Sequence, residues 1–154
     1  MMKKIISMLL CAVTVLALAS CGGTPAETEA PVTYLDPINC VVTVKIAATA
    51  KKGEEVLIDN QPITLRNRTE IPSALDALAQ ACSAYEIKYS ASEDGTTIGS
   101  IKNHANFASD SEGGTWFWEL LVNGKTPSGK AGEVEVTEGD NYVFTYSYIG
   151  GAAQ

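Results

Sequence analysis

The sequence predicts an α+β fold, a β-grasp-like mixed sheet packed on a single helix. Three observations carry this. The run CVVTVKIAA from Cys40 to Ala48 alternates apolar and polar positions and is rich in β-branched residues, which is strand patterning. Leu75, Leu78, Ala79 and Cys82 recur at spacings of three and four, which is helical patterning found nowhere else after the first twenty residues. The two most apolar later stretches, TWFWELLV and YVFTYSYI, alternate again.

Taken in chain order, Cys40, Val42, Val44 and Ile46 form the inward set of the first strand. The charged turn at 51–55 leads to VLIDNQPITLRN, an extended hairpin partner interrupted around Asn60 to Pro62. Pro72 suits a first-turn position and opens the helix with Ser73. EIKYSAS, from Glu86 to Ser92, is the next strand, and Glu93-Asp94-Gly95 a turn. TIGSIKNHANFASDSEGG is poor in periodicity and rich in Gly, Ser and Asn, so it reads as a short strand followed by a surface loop. Thr115 to Val122 is a strand closed by Asn123-Gly124, the strongest hairpin signal present, with Val134-Glu135-Val136 as its short partner. Tyr142 to Ile149 is the last strand. One strand pair, one helix and then several strands fit a β-grasp, with the first and last strands side by side in the centre of one mixed sheet.

The beginning of the chain reads differently. Lys3 and Lys4 precede an apolar run from Ile5 to Leu18, and LASC ends at Cys21. This is a secretory signal over residues 1–20, too short for a transmembrane span. LASC-Gly-Gly resembles a bacterial lipobox, which implies cleavage before Cys21, lipidation of its sulfur, and an extracytoplasmic protein anchored to the cell envelope. Residues 21–37, proline-rich and without a core pattern, read as lipidated cysteine and tether; 38–154 is one domain.

The formal net charge is −7, and loss of the leader removes two lysines and no acid. So acidic a surface repels phosphate backbones, and nucleic acid is excluded as a partner class. Cys40 and Cys82 both fall on inward faces, as a disulfide or as two buried thiols. Neither has the neighbouring Cys or His that a zinc site needs. With one histidine, no glycine-rich phosphate loop and no nucleophile–base context, the chain is not expected to be an enzyme.

The helix SALDALAQA, the GSI at 99–101, the run WFWELLVNGKTPSGKAG and the closing EGDNYVFTYSY together resemble the transcobalamin-like C-terminal domain of bacterial surface proteins. The resemblance covers about Val41 to Tyr148. Its most specific part, Phe117 to Leu121 with Thr126-Pro127 and Gly132, looks like the β-domain of transcobalamin and intrinsic factor. It implies one wall of a cobalamin site, with no helical domain here to supply the other.

On the aromatic strand, Trp116, Trp118, Leu120 and Val122 form the larger, uncharged face and are assigned to the core. Phe117, Glu119 and Leu121 then face outward. A corrin needs flat apolar groups beneath it and hydrogen-bonding groups at its rim, so the candidate ligand-binding residues are Phe117, Glu119, Leu121, Asn123 and Thr126. His104, in the irregular loop, is the candidate axial ligand to cobalt. The expected function is capture of cobalamin or another corrinoid and its hand-over to a transporter or second lipoprotein. The alternative is a non-catalytic module docking a protein or glycan through its sheet, with Tyr142, Phe144, Tyr146 and Tyr148 as core or as a glycan strip.

Overall fold

The structure is a computed structural model, and it describes residues 31–49, 52–111 and 113–150. The expected leader and the lipidated Cys21 lie outside the described residues. Residues 33–37, in the stretch read as tether, are exposed and carry no secondary structure.

Eight strands and one helix are described: β1 (Ile38–Ile46), β2 (Glu55–Leu65), α1 (Ala74–Ala84), β3 (Tyr89–Ala91), β4 (Ile98–Ile101), β5 (His104–Ala105), β6 (Ala108–Ser109), β7 (Thr115–Val122) and β8 (Asn141–Ile149). The main sheet has the order β2-β1-β8-β7-β6 and is mixed, because β1 and β8 run parallel while the other pairs are antiparallel. The first and last strands therefore pair, as their apolar composition predicts. A second, three-stranded sheet, β3-β4-β5, corrects the expectation of one sheet. Its signal is faint because its strands are only four, three and two residues long.

The inward faces meet in one core: Cys40, Val42, Val44 and Ile46 from β1, Tyr142, Phe144 and Tyr146 from β8, and Leu75, Leu78, Ala81 and Cys82 from α1. Ala79 is only half-buried, and Ala77 and Ala81 take the places beside Leu78. Ser73, not Pro72, caps the helix. Its hydroxyl accepts from the Asp76 N–H, while the Asp76 carboxylate accepts from the Ser73 N–H at 2.8 Å, a reciprocal pair that satisfies two helix-end donors. Cys40 and Cys82 are both buried free thiols, and burial pushes each up to about 11.

Two further expectations are corrected. The strand expected from Glu86 begins only at Tyr89, because Glu86 takes a left-handed conformation (φ 55°) where the chain leaves α1 and the Ile87 N–H returns to the Cys82 carbonyl. Asn123 and Gly124 do form a tight turn with positive φ, but Val134–Val136 is not a strand of that hairpin. The segment crosses instead to the start of the helix, where the Ala74 N–H donates to Val134 and the Val136 N–H to Pro72.

Candidate functional site

The aromatic surface of β7 divides as alternation requires. Trp118 and Leu120 are buried, and Trp116 and Val122 pack half-buried against the same core. The Tyr146 ring lies 5.1 Å from Trp116, stacked, and 4.8 Å from Trp118, tilted. The Trp118 indole N–H donates to the His104 carbonyl at 2.9 Å and the Tyr146 hydroxyl to the Ala105 carbonyl at 2.8 Å. Trp118 and the buried Tyr142 and Tyr146 are thus core, with their polar atoms partnered at its rim, and Trp116 packs half-buried against them.

Beyond Trp116 the strand becomes an edge. β6 pairs only with Thr115 and Trp116. Alternate residues of a strand point their backbone groups to opposite neighbours. The Trp118 N–H accordingly points away from β8 and donates to Asn106 Oδ1 at 2.9 Å, and Val122 exchanges bonds with Lys125 across the turn. Asn106 Nδ2 donates in turn to the Ile98 carbonyl at 2.9 Å, so one carboxamide ties β7 to β4.

Between this edge, the β4–β5 region and the loop after Asn123-Gly124 runs an open groove of about 220 Å³. Phe117, Trp118, Glu119 and Leu120 line it from β7, Thr126, Pro127 and Lys130 from the loop, and Ile98, Asn106 and Phe107 from the opposite side. The loop is fixed by close contact. A Cβ on Gly132 would lie 2.7 Å from the Gly95 carbonyl oxygen, and the Gly132 N–H donates to the Thr96 carbonyl. Lys130 pairs with Asp94 at 3.3 Å. The Asp94 carboxyl, bonded by the Ser92 and Thr96 hydroxyls, the Thr96 N–H and then Lys130, is held well below the usual carboxylate range. Across the groove, Phe107 is 70 % exposed although its backbone is left-handed (φ 56°), a conformation rare for a bulky residue.

Of the residues expected from sequence, Phe117, Glu119 and Thr126 come together in this groove. Leu121 and Asn123 are not in its lining. Leu121 lies on the open sheet face beside Val143, and the Asn123 carboxamide donates to Asp140 and accepts from the Asn141 N–H. His104 is also outside it: it belongs to β5 rather than to a loop, its ring lies 5.0 Å from Tyr146, and burial lowers its pKa. Among the described residues no group of three or more His, Cys, Asp and Glu side chains is placed to hold a metal ion. Phe107 and Asn106 were missed, since a Phe in an Asn-, Gly- and Ser-rich stretch has no periodic signal; the available hint was the large apolar side chain itself.

A family model described as a domain of unknown function, DUF4430, matches residues 72–148, half of the chain. The chain belongs to this family. The DUF4430 match contains α1, β7, β8 up to Tyr148 and every groove residue, and leaves out β1 and β2. No curated protein matches the chain in sequence. Among solved structures, haptocorrin in complex with Cbi, a corrinoid, is similar at 17 % identity and a TM-score of 0.51, over 79 % of this chain and 28 % of haptocorrin. A Ruminococcus gnavus protein described provisionally as metal-binding is similar at 18 % identity and a TM-score of 0.43, over 73 % of this chain and 99 % of its own. Identities this low speak to fold. The chain spans little more than a quarter of haptocorrin.

Proposed function

We propose that this DUF4430 protein is a non-catalytic, cell-envelope lipoprotein whose β-grasp-like domain binds a corrinoid in the groove beside β7, for capture and hand-over to uptake machinery. The observation that carries the reading is the convergence of Phe117, Glu119 and Thr126, named from sequence as a corrin platform and rim, on one groove with Phe107 opposite. Two exposed or half-exposed phenylalanines and Pro127 supply apolar contact, and the groove rim supplies hydrogen bonds. The likeness of fold to a corrinoid-bound protein supports the same choice of ligand. At about 220 Å³ the groove is smaller than the roughly 300–1,000 Å³ that encloses a drug-sized molecule. It takes one edge of a corrin, and a transporter or second lipoprotein supplies the other wall. Cobalt ligation by His104 is not part of this reading, because that side chain is not in the groove.

Titration of the full chain with cobinamide and cyanocobalamin, followed by calorimetry and by the corrin absorption bands, tests the proposal. Saturable binding weakened by Phe117→Ala and Phe107→Ala is expected. No heat and no spectral change at high micromolar ligand would overturn corrinoid capture by this chain.

A second reading rests on a separate observation. The sheet face opposite the core carries a half-exposed row of Leu121, Val143 and Thr43, adjacent by register. A protein or glycan docked there would be lost on Leu121→Asp with cobinamide binding unchanged.

A further inference from the structure

The β7 edge has three rungs facing away from β8, and the chain itself closes one of them fully, at Val122, and one by half, at the Trp118 N–H. Trp118 gives its N–H to the Asn106 carboxamide, and Val122 is closed by Lys125. Leu120 lies between them, so by the same alternation its N–H and C=O both point to the groove that it lines. No hydrogen bond to these two groups occurs among the described residues. One full rung beside the Trp118 carbonyl is too short for another strand to add, since the Trp118 N–H and both groups of Val122 are taken. It matches a smaller group.

In an extended residue the N–H and C=O leave the same side of the strand, as a donor beside an acceptor. A primary carboxamide offers the complementary acceptor and donor in one plane. A carboxylate offers only acceptors and meets the Leu120 carbonyl with like charge, and an ester lacks the donor. One rung away the Asn106 carboxamide shows half of this chemistry: it accepts from the Trp118 N–H of β7, while its own N–H goes to the Ile98 carbonyl of β4. The charges lining the groove are already engaged: Lys130 with Asp94, and Glu119 with the Ser147 hydroxyl. Nothing in the wall therefore calls for a charged ligand.

We infer that the groove seats one primary carboxamide of a neutral ligand on the Leu120 rung, with the ligand's apolar part against Phe107 and Phe117. The inference rests on the groove being a ligand site, and not on the ligand being a corrinoid. It names the polar feature by which the groove selects among apolar molecules.

The test uses the ¹⁵N-labelled full chain and three small probes: N-acetylphenylalaninamide, its methyl ester, and the free acid. The carboxamide should shift the Leu120 amide resonance the most and bind about fivefold more tightly than the ester, the worth of one hydrogen bond. In the free protein the Leu120 amide should exchange with solvent faster than those of Glu119 and Leu121, which face β8. Three probes acting alike, or a carboxamide that leaves Leu120 unmoved up to its solubility limit, would overturn the seat. Because no probe contains a corrin, a failure of cobinamide to bind leaves this result standing. Cobinamide binding without a Leu120 shift would instead overturn the seat and leave the corrinoid reading intact.

Discussion

Replacing Asn106 by alanine should cost the protein about 2–4 kcal/mol, because one side chain serves two strands. Its Oδ1 accepts from the Trp118 N–H and its Nδ2 donates to the Ile98 carbonyl, both at 2.9 Å. Ile98 and Trp118 are 4 % and 8 % exposed, so truncation leaves a donor and an acceptor with few routes to water. Each such orphaned group costs about 1–3 kcal/mol, and access from the groove side holds the sum to the lower part of the range. The loss is a large share of the roughly 5–15 kcal/mol by which a domain is stable. With a urea dependence of about 2 kcal/mol per molar, the unfolding midpoint should fall by roughly 1–2 M with an unchanged slope. Asn106→Asp separates the two bonds: it keeps the acceptor for Trp118, loses the donor, and sets a carboxylate against the Ile98 carbonyl. Its carboxyl should have a raised pKa in the folded state. The deficit of Asn106→Asp relative to wild type should therefore shrink as pH falls through that pKa and the donor returns. A loss below about 0.5 kcal/mol for Asn106→Ala, the size of an ordinary surface change, would refute the tie between β4 and β7.

Other consequences follow from the same coordinates. Gly132→Ala places a Cβ against backbone atoms of Gly95 and Thr96, which cannot swing aside, and should destabilise by about 1–3 kcal/mol while weakening cobinamide binding; thermal unfolding and calorimetry read the two effects. Ser73→Ala removes the helix cap and should cost about 1 kcal/mol, measurable by urea titration. The Cys40 and Cys82 thiols, raised to about 11 by burial, favour the protonated form in the folded state. Their contribution to stability is whole below the unfolded pKa and is lost as pH rises toward 11, so urea midpoints should fall across that window, and less so in Cys82→Ala. Near neutral pH, alkylation mapped by mass spectrometry should spare both residues until the protein is denatured.

The sequence was most readable where burial imposes a period. The β1, α1 and β8 core positions and the inward face of β7 follow from alternation or helical spacing, because in each one side must leave water. The second sheet was hidden because strands of two to four residues carry too few repeats to show a period. The fate of Val134–Val136 was misread because Asn123-Gly124 dictates a tight turn but says nothing about which strand lies beside β7; that place is taken by β8, whose pairing is long-range. At the site, Phe117, Glu119 and Thr126 were visible as residues of one strand and the loop that follows it. Phe107 and Asn106 come from the opposite wall, and only the tertiary approach of β4 and β5 to the β7 edge brings them there. Leu121 shares the outward parity of Phe117 but not its place, since parity names a face of the sheet and not a position along its edge.

The central claim is that the groove beside β7 holds a corrinoid, and shift mapping of the ¹⁵N-labelled full chain with cobinamide tests it most directly. The account predicts saturable shifts concentrated on Phe107, Phe117, Glu119 and Thr126, with Thr43 and Val143 unmoved. Shifts centred on Thr43, Val143 and Leu121, or no shifts at all, would contradict it.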